Sequence, residues 1–459
     1  MLLFFGISLV IAFGYLLSIL LVTEMRPPER LGTSFLLGFG VFTLLMFCYS
    51  TLGVKITLES TLLALAVCLS ILFICLKLFK RKIFMDLLGI VQSFLTLSRL
   101  EKIIILIITM FALLSLVIST YFPVNVWDAI ALYDFRAKII TQQGFYIQIA
   151  KNFPYFGGYP LFTSLSHTLV YLFGGINPQF LYSFIYFSLV LIFYSTLREF
   201  VNRKISLITS LLLVTTPVIF DHSTFAYTNL PYTTFLVTGS IYLYIWLVKN
   251  KPVGYLILSA LFIGLSTWTR VAEPFWVINI LVLVLLSIYR FKKYLLSTLI
   301  YTFTFLLIKE PWSLVNNYQL ANSGASKASF VTAELSSYTA KLLGTPFDLT
   351  RIGEVAVFIY KHVIVSWYPL LFLFLICVFI NFKDFFKKVN IFFLGAMLLH
   401  FSLLFYATYV FSFNFPEWTD IPDSTKRMAM FFIPPMIFYI GLNLGRLDIH
   451  ASKKNIKKA

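Results

Sequence analysis

Apolar runs about 20 residues long, the length a helix needs to cross hydrocarbon, recur along the whole chain between short polar or basic segments. The pattern predicts spans over residues 2–23, 34–52, 60–79, 103–121, 178–198, 205–220 and 232–248. Further spans are predicted to end near Thr269-Arg270, to run from Glu273-Pro274 to Arg290, and to cover 295–309, 361–380, 391–411 and 428–445. The fold class that follows is an all-α polytopic membrane protein with about thirteen transmembrane helices.

Two apolar stretches are too short to join that series. Residues 83–98, with Asp86 and Gln92 on an otherwise apolar segment, predict a helix lying in the membrane interface. Leu161–Phe173 ends at Gly174-Gly175 and reads as a span or as a helix along the membrane. Only one crossing fits between Pro160 and Arg198, which favours the second. The longest polar stretch, from Asn316 to about Gly353, is rich in Ser, Thr, Ala and Asn and reads as an outer loop. The resulting domain plan is a three-span N-terminal extension with its interfacial helix (1–102), a transmembrane core with outer loops (103–320), an outer loop (321–356), and C-terminal spans with a basic tail (357–459).

Composition excludes an ordinary soluble domain: 59% of the 459 residues are hydrophobic and 12% charged. The net charge of +17 does not indicate a nucleic-acid partner, because the Lys and Arg residues cluster in short connections between spans. Lys77–Lys82, Arg198–Lys204, Lys249–Lys251, Arg290–Lys293, Lys383–Lys388 and Lys453–Lys458 all fall on one side of the predicted topology. The positive-inside rule makes that side cytoplasmic, with the N-terminus out and the C-terminus in. Residues 1–22 lack a basic start and read as a first span that is retained. Lys/Ile/Asn-rich usage without organelle signals points to a prokaryotic cytoplasmic membrane. Cys48, Cys68, Cys75 and Cys377 all lie inside spans without loop spacing, so neither a disulfide framework nor a metal site is indicated.

Most carboxylates fall on the opposite, outer side, which places the candidate chemistry there. The densest stretch runs from Tyr121 to Lys138 and carries Asp128, Asp134, Arg136 and Lys138 at the mouth of a span. Charges in that position are costly and mark candidate sites. Three further outer clusters are Asp221-His222 with Asn229, Arg270 with Glu273 beside Lys309-Glu310, and Lys426-Arg427. A carboxylate can deprotonate or orient an acceptor. Arg270, Lys309 and Arg427, each near a membrane boundary, suit a lipid phosphate. Structural readings stand beside these. Asp134 and Lys138 are spaced for an i,i+4 ion pair, Arg136 suits phosphate or headgroups, and Lys309 and Glu310 suit each other. Lys426 and Arg427 suit the interface, and His167 reads as a packing histidine. No second His or Cys lies near His222, which argues against a metal there.

The order Trp127-Asp-Ala-Ile-Ala-Leu-Tyr-Asp-Phe-Arg-Ala-Lys138, Gly144, Tyr159-Pro-Leu and Leu172-Phe-Gly174 resembles the first outer loop of GT-C class glycosyltransferases. Within that class it is most similar to the protein O-mannosyltransferase and aminoarabinose-transferase branch. Ala226-Tyr-Thr-Asn-Leu-Pro231 resembles the second-loop Tyr-x-Asp-x-Pro motif, with Asn229 where Asp is common. Gly264–Pro274, Pro311-Trp312 with Asn316-Asn317, and Lys426-Arg427 with Pro434-Pro435 are similar to later elements, so the resemblance covers about residues 103–445. It implies a GT-C-like core whose first outer loop carries juxtamembrane helices. Asp128 would then be the general base, and a sugar would pass from a polyprenyl-phosphate donor to a glycan, lipid or protein acceptor at the outer face. Arg270, Lys309, Arg427, Arg136 and Lys426 would contact phosphate or carrier. Asp134, Asp221, Asn229 and Glu273 would support them. No cofactor is expected, although a divalent cation stays open. The rival readings are a lipid-linked glycan polymerase or ligase, and a transporter or flippase of lipid-linked saccharide.

Overall fold

The computed structural model describes residues 1–81, 96–144, 159–270, 274–322, 344–380, 388–415, 417–420 and 422–456. The interfacial helix predicted within 83–98 lies mostly outside these residues. Among the described residues the regular structure is helical, with no strand. Eight helices are long and apolar enough to cross a membrane, or nine if the bent pair Thr425–Phe431 and Ile433–Arg446 is one span. The chain is therefore a multi-pass α-helical membrane protein.

The first half contributes α1 (Leu2–Leu21), α2 (Pro27–Thr51), α3 (Leu58–Leu78) and α4 (Arg99–Tyr121). A π-helical turn (Ala129–Asp134), α5 (Phe135–Gln143), α6 (Phe162–Leu172) and α7 (Phe180–Leu197) follow. Next come α8 (Arg203–Val214), α9 (Pro217–His222), α10 (Asn229–Lys249), α11 (Val253–Thr269), α12 (Val277–Tyr289) and α13 (Phe291–Asn322). The C-terminal part holds α14 (Leu349–Ile359), which runs through a π turn at Tyr360–Ile364 into α15 (Tyr368–Ile380), then α16 (Lys388–Asn414), α17 (Pro422–Met428) and α18 (Ile433–Ile456).

The core is built by α2, α7, α10 and α11. α2 lies against α1, α7 and α6, and α10 and α11 pair along their lengths. Close approach of α1 and α2 depends on glycine. A Cβ on Gly14 would sit 1.9 Å from the Ser34 carbonyl oxygen, and one on Gly38 would sit 2.3 Å from that of Val10. Small residues at such crossings let helix backbones touch where hydrocarbon supplies no hydrophobic drive. α2, although assigned by sequence to an N-terminal extension, is thus among the most deeply buried helices, whereas α3 and α4 are largely exposed on the outside of the bundle.

Polar connections sort to two ends. At the basic end Glu199 pairs with Lys251 (3.1 Å) and Arg26 (3.4 Å), and Arg203 pairs with Glu101 at 2.7 Å. At the opposite end, called here the loop end, the Ile56 N–H donates to the Gly144 carbonyl at 2.8 Å. Nearby, the Asn177 side chain donates to Ser119 and Phe122 carbonyls.

Three boundaries differ from the sequence reading. The span predicted to exit at Lys309 continues as helix through Pro311 to Asn322. Proline removes one N–H donor, and in a membrane bundle neighbouring groups absorb that loss. Here Trp312 is wedged between Phe47 (ring centres 5.8 Å) and Trp268 (6.2 Å), which holds the turn. The predicted outer loop ends earlier than residue 353, because the Asp348 side chain caps α14 by accepting the Thr350 and Arg351 N–H groups. The expected crossing at 205–220 breaks between Val214 and Pro217, giving one helix of 12 residues and one of 6. α6, at 11 residues, is too short to span, and Phe162–Val170 are all buried, so it lies inside the protein rather than along a membrane surface.

Candidate functional site

The loop between α4 and α6 begins with a helix turned inside out. Trp127, Ile130 and Phe135 are exposed, while Tyr133, Asp134 and Arg136 are buried. In water that arrangement is unfavourable. Beside the end of an apolar span it suits a helix set in the bilayer interface with its polar face towards the protein. The π turn produces this division: the Phe135 N–H reaches back to the Ile130 carbonyl, five residues earlier. Such turns inside α-helices recur at functional sites.

Asp128 precedes the π turn and Asp134 ends it, and the two have opposite surroundings. Asp134 is 3% exposed and heavily engaged. Lys138 Nζ lies 2.8 Å from its Oδ2, His167 Nδ1 lies 3.2 Å from Oδ1, and the Tyr171 hydroxyl also donates to Oδ1. Burial by itself raises the pKa of a carboxyl group, but the bonds from His167, Lys138 and Tyr171 outweigh it and hold Asp134 well below the usual carboxylate range. Burial pushes His167 down. A carboxylate only accepts, so His167 Nδ1 donates to Asp134, and Nε2 lies 3.1 Å from the Tyr182 hydroxyl. Asp128 is partly exposed, and its carboxylate has no hydrogen bond or ion pair to any described residue.

The predicted phosphate contacts separate in the same way. Arg136 is 1% exposed and faces inward: Nε donates to the Leu132 carbonyl at 2.7 Å, Nη1 to the Tyr159 carbonyl at 2.8 Å, and its guanidinium stands 5.6 Å from the Tyr133 ring centre. It thereby fastens the far end of the loop. Lys309 pairs with Glu310 at 3.1 Å on α13. Arg270, which ends α11, donates to the buried Asn229 side-chain oxygen at 3.2 Å. The amide oxygen is a neutral acceptor for that bond, where an aspartate would be an anionic one. Arg427, at the end of α17, holds its guanidinium 5.3 Å from the Tyr227 ring centre, and Lys426 beside it is half-buried.

Two of these groups meet around α9. Thr228 bonds the Tyr133 hydroxyl at 3.3 Å, and its neighbour Asn229 takes Arg270, so the π turn and Arg270 are linked through the start of α10. His222 is buried beside Tyr227 (ring centres 6.2 Å), and burial, with the nearby Arg427 and Arg270 charges, pushes its pKa down to about 4. Ser223 is anchored by Ser115 at 2.6 Å, and Ser115 in turn bonds Ser183 at 2.7 Å. Asp221 is exposed on α9, burial of its surroundings raises its pKa, and no hydrogen bond or ion pair joins it to Asn229. Glu273 lies outside the described residues. Among the described residues no three His, Cys, Asp or Glu side chains converge as a metal site would require.

The sequence reading paired Asp134 with Lys138 but missed its bonds to His167 and Tyr171 and the surroundings of His222. Tyr171 is four residues after His167, so both share a face of α6, and that spacing was available. The approach of His222, Tyr227, Arg270 and Arg427 joins four segments and has no local signal.

No family model matches the chain, and neither a curated protein nor a solved structure is similar to it.

Proposed function

We propose that the chain is a membrane glycosyltransferase of the GT-C kind, crossing a prokaryotic cytoplasmic membrane about thirteen times, with its loop end outside. It would move a sugar from a polyprenyl-phosphate donor to an acceptor hydroxyl. The observation that carries this reading is the contrast between the two carboxylates of the π turn. Asp134 is committed to Lys138, His167 and Tyr171, while Asp128 is uncommitted and partly exposed at the same end as Arg270 and Arg427.

Asp128 takes the proton of the acceptor hydroxyl as the acceptor oxygen attacks the anomeric carbon. The bond from that carbon to the phosphate oxygen breaks, and the electron pair leaves with the polyprenyl phosphate. Arg270 and Arg427 meet the negative charge that gathers there. A single displacement inverts the anomeric carbon. The exposed apolar face of Trp127, Ile130 and Phe135 supports this assignment, because a helix with such a face suits the membrane interface, where a lipid phosphate would lie.

The test is turnover of a labelled polyprenyl-phosphate sugar in membranes. Asp128→Asn is expected to lose about 10²–10⁴-fold with its expression level intact, and near wild-type turnover would remove the base assignment. Running a pyrophosphate-linked donor beside the monophosphate separates the polymerase or ligase alternative, which requires the former.

A further inference from the structure

Among the described residues, His222 lies near Arg270 and Arg427 and has been given no role above. It is 6% exposed. Nδ1 lies 2.8 Å from the Val218 carbonyl. A carbonyl oxygen only accepts, so Nδ1 carries the ring proton, and in a neutral ring Nε2 is then a bare acceptor. That Nε2 is buried, and no hydrogen-bond partner for it exists among the described residues. The side chain is held by Phe225 (ring centres 6.0 Å) and Tyr227. The charged groups acting on it are cations, Arg427 from α17 and Arg270 from the end of α11, and both oppose a second proton on the ring. On its own helix the adjacent Asp221 faces outward and is exposed.

A phenylalanine would fill this space without leaving an acceptor unused. Leaving one buried and unmade is costly, so such a group calls for a donor that the described residues do not supply. A phosphate dianion has no proton to give. A hydroxyl has one. Tyr227, beside the ring, and Arg427, whose guanidinium stands over Tyr227, are only partly buried and belong to a loop and to the end of a short helix. They are the sort of cover that a ligand displaces.

We propose that His222 is a ligand-binding residue whose Nε2 accepts a hydrogen bond from a hydroxyl of the same molecule whose phosphate is held by Arg270 and Arg427. This rests on the anion-binding role given to the two arginines above. It adds that this histidine reads the polyol part of that phosphorylated ligand. His222 therefore separates a glycosylated lipid phosphate from the bare carrier phosphate left after transfer, and so favours release of the product.

The experiment uses the full chain in nanodiscs and two probes: a short polyprenyl phosphate, and the same lipid phosphate carrying a hexose. The wild type is expected to bind the hexosyl lipid more tightly than the bare one. His222→Phe, which keeps the ring contacts, is expected to lose about 2- to 10-fold for the hexosyl lipid, the worth of one hydrogen bond, and nothing for the bare phosphate. His222→Gln supplies an amide oxygen and is expected to recover part of the loss; it also serves if the phenylalanine variant does not fold. A hexose-dependent preference unchanged in both variants, or absent from the wild type, overturns the proposal while leaving the arginine assignment in place. Failure of the wild type to bind even the bare phosphate, or binding insensitive to Arg270→Gln and Arg427→Gln, overturns that assignment and this inference together.

Discussion

Asp134 shows how much one buried carboxylate can organise. Its three partners come from two helices, so it ties α5 to α6 and fixes the tautomer of His167. Asp134→Asn is expected to cost on the order of 2 kcal/mol, the worth of a charged hydrogen-bond set partly retained by the amide. The sign of its pH dependence follows from the depressed pKa. A carboxyl group whose pKa is lower in the folded state contributes stability that is fully present above its unfolded value, about 3.9, and is lost as pH falls through the folded value. Thermal melts of the purified protein should therefore drop more steeply below about pH 4 for the wild type than for Asp134→Asn. Equal slopes would mean that the carboxylate is not held as described. At this scale the sequence disclosed a good deal. The i,i+4 spacing of Asp134 and Lys138 predicted their pairing, and the Lys309-Glu310 neighbours predicted theirs. It did not disclose that Arg136 points inward onto the Leu132 and Tyr159 carbonyls. Nothing local separates an arginine that serves a lipid from one that serves the backbone.

Among the elements, the long apolar helices were legible because period and length suffice for them. The interruptions were not. Pro311 reads as an exit, yet the helix passes through it, since Trp312 is held by aromatic rings that come from α2 and α11. The π turns at 129–134 and 360–364 have no compositional mark at all. The α1–α2 contact makes a sharper prediction. Gly14→Val would drive a side chain into the Ser34 carbonyl. It should cost about 3 kcal/mol or more, seen as a lower melting temperature and a broadened size-exclusion peak. Gly353→Ala is the control. A Cβ there meets nothing within 4 Å, and an exposed helix position gains up to roughly 1 kcal/mol from the exchange. A melting temperature unchanged by Gly14→Val would contradict the close approach of the two helices.

For the whole molecule, the separation of a basic end from a loop end was the most legible property, because it is written in charge. Glu199 with Arg26 and Lys251, and Glu101 with Arg203, lie where the basic connections were expected. Which end faces out is open to direct measurement. Ile176, 92% exposed at the loop end, and Lys80, exposed beyond the far end of α3, are suitable cysteine positions. Ile176→Cys should react with an impermeant maleimide in intact cells, and Lys80→Cys only after permeabilisation. The reverse pattern would invert the proposed topology and remove the outer-face reaction with it. What charge does not reveal is how segments distant in sequence meet. The meeting of the Tyr133–Thr228 and Asn229–Arg270 bonds is set by the bundle, whose central helices bring the first and second loops together.

The π turn gives this arrangement a phase. A helix advances about 100° per residue, and one extra residue in a turn rotates everything before it by that amount relative to everything after. The lock formed by Asp134 with α6 and the carboxylate of Asp128, which has no partner among the described residues, are therefore mounted on one rod cut and re-joined out of step. Regular α-helical winding through the same residues would turn Asp128 by about 100° relative to Asp134. The apolar rim of Trp127, Ile130 and Phe135 is the outer mark of the same offset. It makes the angle at which this loop meets the membrane a property of residue count as much as of residue type.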